Sequence, residues 1–257
     1  MSNLKFVFVF SLAFAFAVAQ QDNQQHASHN NMNHENHRVN VAVYYESLCP
    51  DSRKFFTQQL YPSLQGNLSN FVNLTLVPYG KTKMEFKQNE YEFDCHHGAK
   101  ECEGNKIQAC ALKLIDQGKK TEGLGFNRVA VGFINCLMDK TERKGDDTTF
   151  PTKDCAEINH VNNLNLIENC AGHTDGSNYL ANLGTLTKAV ADPLKNVPTI
   201  VFNQQFKEED NKMAQTNFVK ALCQYIHADK PSECNGASNI QISIGFLIVA
   251  SIISKLF

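Results

Sequence analysis

VNVAVYYESLCPDSRKFF, residues Val39–Phe56, begins as an alternating apolar run and ends in Cys49-Pro50-Asp51-Ser52, where a helical pattern opens. The alternation has the two-residue period of a strand, and Pro50 suits the first position of a helix. Cys49 is therefore predicted at a strand-to-helix junction, at the N-terminal end of the helix. Unpaired N–H groups and the positive end of the helix dipole stabilise an anion at that position. A thiolate is an anion and a thiol is not, so this placement favours the nucleophilic form of Cys49 and a lowered thiol pKa. Thiol chemistry is the first reading of the chain.

The flanks of the 257-residue chain read differently from its body. Lys5 precedes an apolar run from Phe6 to Val18, and Ala17-Val18-Ala19 has the small-x-small form of a cleavage site. Residues 1–19 are read as a signal peptide in preference to a membrane span, for which the run is short. Residues 20–38 form a His-, Asn- and Gln-rich arm without apolar periodicity, expected to be disordered. Its His26, His29, His34 and His37 are read as part of a solvated polar leader rather than as a loose metal-binding or acid-sensing tract. The C-terminal residues 235–257 include the apolar stretch Ile240–Ile253, preceded by small residues Asn235 to Ser238. A lipid-anchor signal, a propeptide and a short membrane-associated tail all remain open for it. The formal charge is −2 and no basic stretch interleaves with aromatics, so nucleic acid is not an expected partner.

The nine cysteines are Cys49, Cys95, Cys102, Cys110, Cys136, Cys155, Cys170, Cys223 and Cys234. In an exported chain most should be paired, and an odd count leaves at least one free. Cys49 is the candidate for the free thiol, because only it has the strand–turn–helix context. No connectivity is assigned to the others. Asn67-Leu68-Ser69 and Asn73-Leu74-Thr75 are both glycosylation acceptors.

Residues 39–234 are read as one domain. A helix is predicted from Ser52 to about Leu64, and a strand from Phe71 to Pro78. A long cysteine-bearing stretch, about 79–192, carries helical signals at Asn105–Gln117, Arg128–Met138 and Leu180–Val190. Pro198 stands before the β-rich Thr199–Phe202, Asn203–Phe206 is expected to turn into a further strand, and Asn211–His227 reads as a helix. A β-α-β half, a helical insertion and then β-β-α resembles the thioredoxin-like layout, with the insertion disulfide-bonded. That resemblance implies a cis Val197–Pro198 bond lying against Cys49, and cis bonds are essentially confined to proline. Redox members of the fold normally carry Cys-x-x-Cys, whereas here Ser52 holds the second position.

Residues 95–110 read CHHGAKECEGNKIQAC. This resembles the signature of the gamma-interferon-inducible lysosomal thiol reductase family: Cys-Gln-His-Gly, two residues, Glu-Cys, two residues, Asn, four residues, Cys. Cys95, His97, Gly98, Glu101, Cys102, Asn105 and Cys110 match, and His96 stands where the family usually has Gln. Read as residues alone, Cys95, His96, His97, Cys102 and Cys110 are also possible zinc ligands. The cysteines lack a short knuckle spacing, so disulfides are preferred and no metal site is assigned. Asn105 is expected to cap the following helix, Gly98 and Gly104 to supply tight turns, and His97 to be a structural histidine.

The resemblance implies an α/β thiol–disulfide oxidoreductase that is secreted or lysosomal, or held at the surface by a lipid anchor. It would reduce disulfide-containing protein substrates without a bound cofactor. Cys49 corresponds to the attacking cysteine. Ser52 cannot form a disulfide, though its hydroxyl is expected to hydrogen-bond the Cys49 thiolate. Resolution then requires an external small-molecule thiol or a further substrate cysteine. Catalytic roles fall to Cys49, Ser52 and Pro198. A non-catalytic thioredoxin-fold binding or surface protein is the alternative.

Overall fold

The computed structural model describes residues 38–115 and 123–236. The expected signal peptide, the arm apart from Arg38, the apolar tail and the last two residues of the Asn105–Gln117 signal lie outside the described residues.

Strand β1 (Val39–Tyr45) is central in a three-stranded sheet of order β2-β1-β5. It pairs in parallel with β2 (Val72–Pro78), from Val39 opposite Val72 to Tyr45 opposite Pro78. On its other side it pairs antiparallel with β5 (Thr199–Phe202), Val41 facing Phe202 and Tyr44 facing Thr199. Alternation along β1 divides two cores, because successive side chains leave opposite faces of a strand. Val41, Val43 and Tyr45 join Phe55, Phe56, Leu60, Phe202 and Phe218 on one face. Tyr44 joins Tyr79, Leu180, Val197 and Cys49 on the other.

Helix α1 (Pro50–Phe55) runs on through a π-helical stretch (Phe56–Leu60) and one more turn (Tyr61–Ser63), as the predicted helix to Leu64 requires. Pro62 accounts for the π turn: it offers no N–H and its ring crowds the carbonyl four residues back, so the ladder shifts register. The Tyr61 N–H accordingly bonds to the Phe56 carbonyl, five residues back. Both Phe55 and Phe56 are essentially sealed from solvent, at 1% and 0% exposure. Burying each contributes roughly 1.5–3 kcal/mol.

A hairpin follows that the sequence reading did not separate from the insertion: β3 (Lys83–Lys87) and β4 (Glu90–Asp94), turning at Gln88 and Asn89, both with positive φ. Among the described residues five helices come next: α2 (Ala99–Ile115), α3 (Arg128–Lys140), α4 (Thr152–Ile158), α5 (Leu164–Gly172) and α6 (Thr174–Val190). They enclose a separate core around Ile107, Phe133, Leu137 and Ile167, and that core contains the disulfides Cys110–Cys170 and Cys136–Cys155. Helix α2 starts six residues ahead of the predicted boundary, so Asn105 lies inside it rather than capping it.

Two expectations near the C-terminal end are corrected. Asn203–Phe206 is not a strand: Asn203 and Gln204 have φ of 48° and 63°, and the chain folds back in a tight turn with a lone Phe202–Gln205 bridge. The predicted Asn211–His227 helix is divided into α7 (Glu208–Thr216) and α8 (Phe218–Cys223). Asn217 breaks from helical geometry between them, and its side chain caps α8 by accepting from the Lys220 N–H. A last helix, α9 (Ser232–Gly236), is tied to α8 by Cys223–Cys234. The β-α-β unit, helical insertion, β5 and closing helices are the α/β thioredoxin-like arrangement, with the inserted helices disulfide-bonded as expected.

Cys110–Cys170 closes a separation of 60 residues and Cys223–Cys234 one of 11. If unfolded-chain entropy dominates, replacing the first pair by alanines costs about 1.5 kcal/mol more stability than replacing the second. Urea unfolding under non-reducing conditions measures the difference; equal losses would exclude that account.

Candidate active site

Beyond Tyr45 the chain leaves the sheet as Glu46-Ser47-Leu48 and enters α1 through Cys49. The Cys49 N–H bonds back to the Glu46 carbonyl at 3.3 Å, and the Cys49 carbonyl accepts from Arg53 N–H at 2.9 Å. Cys49 is thus the N-cap of α1, with Pro50 first in the helix. It is the one free cysteine among the described residues, and it is 5% exposed. Its sulfur faces the Val197 carbonyl at 3.9 Å, and the Val197–Pro198 bond is cis. The two segments predicted to meet, one before α1 and one before β5, do meet. From α7, Gln215 donates to the Pro198 carbonyl at 2.9 Å and Asn211 accepts from Ile200 N–H at 2.9 Å, anchoring the proline segment.

Ser52 is fully buried one turn into α1. Its hydroxyl accepts from the Glu46 N–H at 3.4 Å. The predicted bond to the Cys49 sulfur is replaced by this one: the sulfur is turned toward Val197, and the hydroxyl meets an amide otherwise left without a strand partner at the end of β1.

The signature residues hold the loop that carries Cys49. Asn105, fully buried in α2, accepts from Ser47 N–H at 2.9 Å, and the Ser47 hydroxyl donates to the Glu101 carbonyl at 3.1 Å. Gly104 is not at a turn but within α2. A Cβ there would lie 2.5 Å from Ser47 Oγ and 2.4 Å from Phe150 Cζ, so glycine permits the close approach of helix and loop. Gly98 does occupy a turn, with φ of 85°. Gln108 accepts from the Tyr45 hydroxyl at 2.6 Å, and Arg143 donates to the Leu48 carbonyl at 3.1 Å. Cys95–Cys102 closes the start of the signature and Cys110 pairs with Cys170, so none of these cysteines is available as a zinc ligand.

His97 is held by carboxylates. Its Nδ1 is 2.6 Å from Glu101 Oε2 and 3.3 Å from Glu46 Oε2, while its backbone N–H donates to Glu101 Oε1 at 3.0 Å. His96 Nδ1 reaches the same Glu46 oxygen at 3.2 Å. Burial raises the Glu101 pKa, the Glu46 charge adds to the rise, and His97 opposes it. Glu46 and its role escaped the sequence reading. The positive φ of Gly80, over which Glu46 packs, becomes meaningful only once the two are neighbours.

A groove of about 320 Å³ is lined by Leu48 and Pro50, the chain neighbours of Cys49, and by Arg53, Lys54, Met138 and Arg143; Cys49 itself does not line it. Of the expected glycosylation sites, Asn67 and Asn73 are both exposed, and the Asn73 amide donates to Asn40 at 2.7 Å.

A lone cysteine capping the first helix of a thioredoxin-like fold, set against a cis-proline segment, defines the class of thiol–disulfide oxidoreductases. Residues 40–159 match the family model described as "Gamma interferon inducible lysosomal thiol reductase (GILT)". The chain is 41% identical to "GILT-like protein 1" of Drosophila melanogaster, over 86% of this chain and 89% of that protein. It is 37% identical to the "Gamma-interferon-inducible lysosomal thiol reductase-like protein" of Anopheles gambiae, over 85% and 91% of the two chains. A goldfish (Carassius auratus) "Gamma-interferon-inducible lysosomal thiol reductase" is 29% identical over 76% and 72%. Among solved structures, "Crystal structure of Chlamydia trachomatis DsbA" aligns with a TM-score of 0.47 and 12% identity over 70% of this chain and 86% of that one, too weak a likeness to carry an inference. The chain belongs to the gamma-interferon-inducible lysosomal thiol reductase family.

Asn105→Ala leaves the Ser47 N–H buried without its acceptor, at a cost of about 1–3 kcal/mol. The same change loosens the Cys49 loop, so alkylation of Cys49 by iodoacetamide should become faster. Urea unfolding and the alkylation rate test both parts; no change in either would show that Asn105 does not hold the loop.

Proposed function

We propose that this protein reduces disulfides of protein substrates through a mixed disulfide on Cys49, completed by an external thiol. The observation that carries the reading is the placement of the single unpaired cysteine at the α1 N-cap, against Val197–Pro198, with Ser52 three residues on. The Cys49 thiolate attacks one substrate sulfur, the substrate disulfide breaks, and the other sulfur leaves as a thiolate that takes up a proton. A small-molecule thiolate then attacks the Cys49 sulfur and releases the second substrate thiol. A second small thiol frees Cys49 and leaves as the oxidised small-molecule disulfide. The net two electrons come from two external thiols, because Ser52 has no sulfur with which to resolve the adduct. The groove beside Cys49 receives the partner, and Arg53, Lys54 and Arg143 favour one bearing carboxylates. No bound cofactor takes part.

The same proposal places the protein in the secretory pathway, secreted or lysosomal. Four disulfides among the described residues and two exposed acceptor asparagines support that placement. Attachment of the C-terminal tail to a membrane, by a lipid anchor or by the apolar segment itself, belongs to the proposal too.

An intramolecular resolving thiol acts at a very high effective concentration, so its loss makes turnover depend on added thiol. With a single-disulfide substrate and no small thiol, the wild type should stall as an adduct that Cys49→Ser cannot form. Ser52→Cys should release the adduct unaided and accumulate an internal disulfide. Intact mass spectrometry follows both species. Completion by the wild type without added thiol would reveal another resolving cysteine; no adduct under any condition would favour a binding protein that has kept the fold.

A further inference from the structure

The buried carboxylates behind the Cys49 loop take no part in the chemistry proposed above, yet their arrangement is specific. Glu46 Oε2 lies 3.2 Å from His96 Nδ1 and 3.3 Å from His97 Nδ1. Two donors bound at 2.0–2.1 Å to a tetrahedral ion are separated by about 3.3 Å. Glu46 Oε2 thus stands at ligand spacing from each imidazole, and the three side chains bring ligand atoms within 4.8 Å of one another.

The carboxylates are oriented as well as close. Glu46 uses Oε1 to accept from Lys81 N–H at 2.8 Å, and Glu101 uses Oε1 to accept from His97 N–H at 3.0 Å. Each leaves Oε2 directed at the imidazoles. Such fixing of ligands by outer hydrogen bonds is what metal sites require. Both glutamate side chains have 0% exposure, whereas His96 is 48% exposed and opens the cluster to solvent.

We propose that Glu46, His96 and His97 bind a divalent transition metal of the zinc type, with the fourth position open to solvent. Two imidazole nitrogens beside one carboxylate oxygen suit such an ion better than calcium or magnesium, which prefer oxygen alone. Glu101 Oε2 is 2.6 Å from His97 Nδ1, so metal binding exchanges the His97–Glu101 hydrogen bond for a bond from the imidazole to the ion. His96 stands where the family signature has Gln, so the site belongs to this chain and not to the signature. Cys95 and Cys102, on either side, are committed to their disulfide.

The test is Zn²⁺ titration of the full chain against a chromogenic chelator, in a background where His26, His29, His34 and His37 are alanine. That background removes the other histidine-rich tract. One ion per chain should bind, and the metal should raise Tm. His96→Gln, which installs the residue usual in the family at a half-exposed position, should weaken binding at least ~10-fold and abolish the Tm shift. Cys49→Ser should leave both unchanged. Equal binding by the parent and His96→Gln, no binding by the parent, or loss of binding in Cys49→Ser would each overturn the proposal. None of these readouts depends on reductase turnover, so failure here is distinguishable from failure of the thiol mechanism.

Discussion

The loop from Glu46 to Leu48 leaves the sheet inside the protein, where its backbone amides and carbonyls cannot reach water. A buried unpaired amide costs about as much as a lost hydrogen bond, so each one needs a designated partner. Ser52 supplies the acceptor for the Glu46 N–H, Asn105 that for the Ser47 N–H, and Arg143 donates to the Leu48 carbonyl. The partners come from α1, from α2 and from just beyond α3, so the position of Cys49 is set jointly by the sheet and the insertion. The family signature accordingly acts through position: its Asn105 and Glu101, with the intervening Gly104, lie against Ser47, two residues before Cys49.

The same constraint explains why the inserted helices are cross-linked. Their core is separate from that of the sheet and small, and a small core alone leaves little stability after chain entropy is met. Cys110–Cys170 joins α2 to α5 and Cys136–Cys155 joins α3 to α4, so the scaffold around Asn105 is held covalently as well as by packing. On the opposite side, Gln215 and Asn211 of α7 hold the segment containing Pro198. Cys49 is therefore fixed between two independently anchored elements.

Much of the sheet was legible because its signals are local. The alternation of β1, the β-branched run of β2 and the proline before β5 each lie within a few residues, and strand periodicity needs no partner to be read. The hairpin β3–β4 also carried a local signal, with Met84 and Phe86 alternating on one side of Gln88-Asn89 and Tyr91 and Phe93 on the other. It was obscured by the charged residues between them, which lie on its exposed positions. The strand expected at Asn203–Phe206 was lost to a turn whose left-handed residues leave no room for a ladder before α7.

Read along the chain alone, one cysteine stands apart from the other eight, it opens a helix after a strand, and a serine, which cannot form a disulfide, stands three residues beyond it. These follow from parity, periodicity and residue type, which are written along the chain. Only the tertiary structure decided which cysteines pair, that Asn105 and Gly104 serve the loop instead of a helix end and a turn, and that Glu46 faces His96 and His97. Those relations join residues 7 to 60 positions apart in the disulfides of the insertion, 58 from Ser47 to Asn105, and 50 from Glu46 to His96. A side chain's role there depends on what the packed chain places opposite it, and no local period encodes that.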